Sequence, residues 1–160
     1  MKEKLGVDIG GVIINRAYDD TDTSFFKERY LETPAVPGAI ETIRNLRDRF
    51  GEHIYLVSKA GTNTRRKSLE WLTEQQFFSA TGMPVSHVHF CTERKGKTLI
   101  CSQLEITHFI DDRLEVLGFL PKVPHRYLFL PREKEVRKFR HVLPHVTQVD
   151  SWTQLAELLK

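Results

Sequence analysis

Four polar features stand at the ends of apolar, strand-like segments. They are Asp8 in VDIGGVII, Ser58 in IYLVSKAG, Lys97 in ERKGKT and the Asp111-Asp112 pair in FIDDR. A carboxylate that directly follows buried apolar residues is costly unless a cation compensates its charge. Because this argument applies to Asp8 and again to Asp111-Asp112, the sequence predicts a site that holds a cation.

These residue types together can bind a phosphate group with its metal ion. Mg²⁺ prefers hard oxygen ligands in an octahedral arrangement, and Asp8 and Asp111 would supply two of them. A phosphate monoester is dianionic, so cations must screen it before a carboxylate can approach. Lys97 would neutralise both groups as a point charge. Ser58 would donate a hydrogen bond to a phosphate oxygen.

Neighbouring residues could extend the phosphate site. Gly10 and Gly11 have no side chains, so their backbone amides could form an anion-binding nest. Lys59 directly follows Ser58, and we predict that it also binds the phosphate. Lys95 is an alternative to Lys97, which we favour because it stands at the start of the helix leading to FIDD.

The segments that position these residues alternate between short apolar runs and amphipathic stretches. Strands are predicted at residues 5–9, 53–58, 88–91, 107–112 and 127–130. Helices are predicted from Pro37-Gly38 onward, at about 64–72 with Asn63 or Thr64 as cap, at 98–104, and at 152–159 after a Ser151/Gln154 capping box. This rhythm predicts an α/β fold: a three-layer, Rossmann-like parallel sheet with helices on both faces. Such sheets bind ligands at the carboxyl ends of their strands, where the polar residues stand.

In this order, the four features resemble the four motifs of the haloacid-dehalogenase (HAD)-like hydrolase superfamily. The resemblance covers about residues 4–120, and residues 97–112 are also similar, more loosely, to the deoxyribonucleotidase group. It implies that Asp8 is a nucleophile, forming an aspartyl-phosphate that water then hydrolyses. It also implies a Mg²⁺ site made of Asp8, the Gly10 carbonyl and Asp111, with Asp112 supporting the metal or Lys97.

One position departs from the family pattern. The usual first motif is DxDG, whose second aspartate acts as general acid and base, and here that position is Gly10. A positioned acid contributes about 10²–10⁴-fold to the rate. Three explanations stay open: a leaving group that departs unaided, as in an acyl phosphate or a sugar 1-phosphate; a substitute acid from Asp19, Asp20 or Asp22; or a protein that binds a phosphorylated ligand with little or no turnover.

The GVDIGGVI segment has a second interpretation. It resembles the GVDIGGT start of sugar kinases and other members of the actin-like ATPase group, whose glycines wrap the phosphates of ATP. That fold needs two domains and a longer chain, and it normally has threonine where Val12 stands. It also gives no reason for FIDDR at the fourth strand, so the hydrolase resemblance is preferred.

Composition is that of one globular domain. The chain has 160 residues, of which 40% are hydrophobic and 28% charged, and its formal charge is +3. No apolar run reaches membrane-spanning length, and the strand-like start leaves no room for a signal peptide. Cys91 and Cys101 stand in no metal or disulfide pattern. We therefore expect a cytoplasmic protein without a membrane partner.

The spacing of the motifs leaves no room for a full cap domain. Residues 14–37 are predicted to form a flap or loop insertion within a single domain of residues 1–160. An open site would admit a phosphorylated small molecule, such as a nucleotide or another phosphometabolite, or the phosphorylated end of a macromolecule. The basic runs at 65–67 and 132–140 are most simply solvated helix faces, and they give a polyanionic partner such as nucleic acid only weak support.

Overall fold

The computed structural model describes residues 2–16 and 29–160. In this part of the chain six strands form one sheet: β1 Leu5–Val7, β2 Ile54–Lys59, β3 Val88–Cys91, β4 His108–Asp111, β5 His125–Phe129 and β6 Thr147–Val149. Their order is β3-β2-β1-β4-β5-β6, and all neighbours are parallel. The predicted parallel α/β sheet is confirmed.

The α-helices connect the strands and cover the sheet. They are α1 Ala39–Phe50, α2 Thr62–Glu74, α3 Phe77–Thr81, α4 Lys97–Leu104, α5 Leu114–Gly118, α6 Glu133–Lys138 and α7 Trp152–Leu159. The chain builds the sheet outward from β1 in one direction through β2 and β3, and in the other through β4. This reversal places a crevice at the carboxyl end of β1, the usual ligand position in such sheets.

Two hydrophobic clusters lie on opposite faces of the sheet. Adjacent residues of β2 show the alternation, because Leu56 belongs to one cluster and Val57 to the other. The first cluster includes Ile43 of α1 and Trp152 of α7, and the second includes Leu114 of α5. The strand period of two thus sends side chains into both layers, which gives the three-layer arrangement.

Several boundaries differ from the sequence predictions. β1 ends at Val7, because the chain turns after Asp8 instead of continuing to Ile9. α2 begins at Thr62 after Gly61, so the predicted caps Asn63 and Thr64 are wrong. Asn63 lies within the first turn, where its side chain accepts a hydrogen bond from Arg66. Helices α3, α5 and α6 and strand β6 were not predicted.

The capping box before α7 is present. The Ser151 hydroxyl accepts a hydrogen bond from the Gln154 amide at 3.0 Å. The Gln154 side chain accepts in turn from the amide of Asp150 at 2.9 Å, one residue earlier than the usual reciprocal bond.

A tight turn follows β1 and is held from both sides. The amides of Ile13 and Ile14 donate to the carbonyl of Ile9, and Ile14 forms an antiparallel bridge with Ala35. The indole of Trp152 donates to the carbonyl of Val12 at 2.8 Å. The predicted flap at 14–37 therefore has paired ends, but residues 17–28 lie outside the described residues, and the flap remains a prediction. Across the described chain, no helix has the length and apolar character needed to cross a membrane.

Candidate active site

The register of the two central strands brings Asp8 and Asp111 together. Val7 of β1 is paired with Ile110 of β4, and the Asp8 amide donates to the Ile110 carbonyl at 3.0 Å. Both aspartates then stand level at the carboxyl ends of neighbouring parallel strands. With Asp112 they offer three buried carboxylate oxygens that lie within 4.8 Å of one another.

Lys97 joins the two central carboxylates. Its ammonium lies 3.0 Å from Asp8 Oδ1 and 2.8 Å from Asp111 Oδ2, and the residue is only 2% exposed. The start of α4 lies close to β3, since a Cβ on Gly96 would come within 2.9 Å of the Cys91 side chain. A glycine there lets the helix begin close enough for Lys97 to reach Asp8. Lys95, the alternative, is exposed and lies 3.7 Å from Glu93.

Burial and mutual charge set the ionisation of this group. Burial, reinforced by the charge of Asp111, holds the pKa of Asp8 well above its ordinary value. Burial is also the foremost reason that the pKa of Asp111 is raised. For Lys97, burial opposes the charged form, but the charges of Asp111 and Asp8 outweigh it and raise the pKa, so the lysine is an ammonium.

This donor set fits a divalent cation such as Mg²⁺. Two of the three buried carboxylates, Asp8 and Asp111, share the Lys97 ammonium, and the charges of Asp111 and Asp112 raise the pKa of Asp8. Hard carboxylate oxygens are the ligands that Mg²⁺ prefers, and a second cation would relieve the repulsion among them. Asp8, Asp111 and Asp112 are the residues that would hold it, together with the Gly10 carbonyl that the family resemblance implies.

Asp112 has a partner that the sequence analysis did not single out. Its Oδ2 lies 2.8 Å from the guanidinium of Arg16. Gly11 lies directly against this pair: its φ is +78°, and a Cβ there would stand 2.3 Å from the Asp112 carboxylate. Only glycine fits both the left-handed backbone and the close approach.

The predicted phosphate-binding residues line one cleft of about 290 Å³ with the carboxylates and Lys97. Ser58 lies at its wall near the end of β2 and is 7% exposed. The exposed side of the cleft includes Lys59 and Gly10, with Gly11 beside them. The Gly11 amide donates to the Ile14 carbonyl at 2.9 Å, so it is not free to join the predicted anion-binding nest. A Cβ placed on Gly10 would meet no described atom within 4 Å.

Two further cations, Arg94 and Arg113, line the same cleft. Arg94 stands in the ERKGKT motif, and Arg113 directly follows Asp112, so their places beside strand ends were the signal that could have indicated them. The predicted substitute acids Asp19, Asp20 and Asp22 lie outside the described residues.

Comparisons with known proteins bear on the fold. No family model and no curated protein matches the sequence. A HAD-like hydrolase from Burkholderia xenovorans LB400 superposes with a TM-score of 0.65 at 11% identity, over 99% of this chain and 97% of that one. A HAD-family hydrolase from Deinococcus radiodurans R1, with bound phosphate and sodium, gives 0.59 at 12% identity over 96% and 93%.

A third solved structure extends the comparison. It is a HAD-like family hydrolase from Xanthomonas campestris, with a TM-score of 0.55 at 12% identity. The match covers 91% of this chain but 64% of that one. This chain therefore has the HAD-like fold that its four motifs predicted. The likeness to the deoxyribonucleotidase group stays a prediction.

Proposed function

We propose that this protein is a Mg²⁺-dependent hydrolase of phosphate monoesters that uses Asp8 as its nucleophile. The observation that carries the proposal is the buried ammonium of Lys97, held between Asp8 and Asp111 at the wall of an open cleft. Ser58 and three carboxylates border the same space. The neighbours in fold are named hydrolases, and one of them holds phosphate, which supports the same class of reaction.

The first chemical step joins Asp8 to the substrate. A carboxylate oxygen of Asp8 attacks phosphorus and forms a new O–P bond, while the bond from phosphorus to the leaving oxygen breaks and its electron pair departs with that oxygen. With glycine at position 10, the leaving oxygen takes its proton from water in the cleft or leaves as a stable anion. Lys97 neutralises Asp8 and the phosphate, and Ser58 donates a hydrogen bond to a phosphate oxygen.

The second step restores the enzyme. Water attacks phosphorus of the aspartyl-phosphate and gives up a proton to solvent as the bond between phosphorus and Asp8 breaks. Inorganic phosphate is released, and Asp8 regains its carboxylate. A bound Mg²⁺ would supply charge neutralisation of the phosphate throughout.

Two features support a substrate class: the cleft is open among the described residues, and position 10 lacks an acid. A phosphorylated small molecule, including a nucleotide, or a phosphorylated macromolecule end can enter, and we place the reaction in the cytoplasm. Acyl phosphates and sugar 1-phosphates have leaving groups that need least protonation, so they best suit a site with glycine in place of the general acid.

The test uses two substrates with good leaving groups, p-nitrophenyl phosphate and acetyl phosphate. Wild type should hydrolyse both with Mg²⁺ and neither with EDTA, and Asp8→Asn should abolish turnover because it removes the nucleophile. Asp48→Asn, an exposed carboxylate on α1, serves as the matched control and should behave as wild type. Turnover that persists in folded Asp8→Asn would refute the assignment of the nucleophile.

A second candidate is a phospho-ligand binding protein with little or no turnover. The specific observation in its favour is Gly10, which removes the family's acid from an otherwise complete site. If calorimetry shows Mg²⁺-dependent binding of phosphate while neither substrate turns over, this second function replaces the first.

A further inference from the structure

A groove continues the cleft beyond the phosphate site. It has a volume of about 380 Å³ and shares two residues with the cleft, Lys59 and Arg94. Its other lining residues include the Lys95–Glu93 ion pair, Glu115 and the partly exposed ring of Phe119. A substrate whose phosphate contacts Asp8 can therefore extend its leaving group past Lys59 into this groove.

The cations of the cleft differ in whether they already have a partner. Lys97 contacts Asp8 and Asp111, and Arg94 lies 3.6 Å from Glu115. Within residues 2–16 and 29–160, the side chain of Lys59 forms no ion pair, and the same holds for Arg113. Of these two, only Lys59 also borders the groove.

Formal charge indicates what Lys59 would bind. Four cationic side chains line the cleft against three carboxylates. Their ion-pair partners add Arg16 beside Asp112 and Glu115 beside Arg94, so five cations face four carboxylates before any metal is added. A divalent metal ion and a dianionic phosphate cancel each other, so the cleft keeps an excess positive charge. This excess lies at the mouth, because Lys97 is buried and Lys59 is exposed.

We propose that the substrate carries a second anionic group on its leaving-group side, and that Lys59, with Arg94 beside it, binds that group. The proposal rests on the proposed function, since it takes the scissile phosphate to lie at Asp8. The substrate class is then a phosphorylated acid or a compound with a second phosphate near the first. Lys59 would set specificity, while the chemical step stays with Asp8 and Lys97.

Calorimetry with phosphonates tests the proposal without requiring turnover. Methylphosphonate supplies the headgroup alone, phosphonoacetate adds a carboxylate, and methylenediphosphonate adds a second phosphonate, all at constant free Mg²⁺. Wild type should bind phosphonoacetate about tenfold more tightly than methylphosphonate, the effect of one charge-assisted hydrogen bond in a half-exposed groove. A larger gain with methylenediphosphonate than with phosphonoacetate would assign the second group as phosphate, and the reverse order as carboxylate.

Three variants locate the effect. Lys59→Met should reduce the ratio of the two affinities from about tenfold to about one. Lys95→Met in the groove and Arg113→Met in the cleft should both retain the ratio. Equal affinities in wild type, or a ratio that survives Lys59→Met, would overturn the proposal while leaving the phosphate site intact. If no phosphonate binds in the presence of Mg²⁺, both the proposed function and the proposal of a second anionic group fail.

Discussion

Replacing Gly10 with aspartate would supply the general acid that the family pattern places at this position. The site has room for it: a Cβ on Gly10 meets no described atom within 4 Å, and the residue lines the exposed side of the cleft. Its φ lies outside the left-handed region, so an L-residue is not strained there. We therefore expect Gly10→Asp to fold like wild type and to gain activity on substrates with basic leaving groups.

The size of the gain follows from what the acid does. A positioned acid contributes about 10²–10⁴-fold, and an aspartate on an exposed turn should reach the lower end. A hundredfold gain corresponds to about 2.7 kcal/mol of transition-state stabilisation. For p-nitrophenyl phosphate the leaving oxygen needs little protonation, so the gain there should be within about threefold.

The assay compares kcat/KM for an alkyl phosphate and for p-nitrophenyl phosphate. Gly10→Asn is the matched control, since it has the same shape but cannot donate a carboxyl proton. An equal gain in Gly10→Asn would refute acid catalysis as the cause. An unchanged alkyl phosphate rate in folded Gly10→Asp would refute the view that position 10 lacks only its acid, and would indicate another proton donor.

Two further predictions concern stability. Gly11→Ala should lower the free energy of unfolding by about 1–3 kcal/mol and weaken Mg²⁺ binding, because the new Cβ would displace Asp112. Gly51→Ala is the control, since Gly51 also has positive φ but a Cβ there would meet no described atom within 4 Å. An equal loss of Mg²⁺ affinity in Gly51→Ala would refute displacement of Asp112 as the cause. His108 is buried beside His125, which lowers its pKa to about 4, so the unfolded chain binds more protons below pH 6.5 and stability falls as pH decreases. Between pH 7.5 and pH 5 wild type should lose about 2 kcal/mol more than His108→Gln in urea unfolding, and parallel pH profiles would contradict this.

The sequence alone was enough to predict the two central strands of the sheet and the aspartates at their ends. Asp8 and Asp111 each follow apolar residues that only a buried strand explains, and the parallel register then places both at one edge. A charge at such a place needs a compensating cation. The order of the motifs and the place of Lys97 at the start of the helix leading to FIDD connected this lysine with the two aspartates. The partner of Asp112 could not be found this way, because Arg16 lies 96 residues away, beyond the turn after β1.

The helices and the strand that the sequence did not predict depend on contacts between residues far apart in the chain, which a local sequence pattern does not show. The first turn of α5 is held by α6: the Glu135 carboxylate accepts from the amides of Leu114 and Glu115, both at 2.9 Å. Those amides would ordinarily require a cap just before the helix. The N-cap residue is Arg113, whose side chain makes no capping bond, and the two aspartates before it pair with Lys97 and Arg16. β6 is only three residues long, and two of them are exposed, so its place is fixed by pairing with β5 rather than by its own pattern.

In the proposed reaction, attack on phosphorus and protonation of the leaving group depend on two different parts of the site, which a phosphatase usually combines. The proposed nucleophile Asp8, the ammonium of Lys97 and the carboxylates that would hold a metal lie on the most buried part of the sheet, where register and burial fix them. The proton donor would belong to the turn after β1, and within the described part of that turn position 10 is an exposed glycine. In the proposed reaction the protein therefore supports attack on phosphorus, whereas departure of the leaving group depends on the substrate. Across a series of aryl and alkyl phosphates the rate should rise steeply as the leaving group becomes less basic, and a flat series would show that the chain supplies an acid after all.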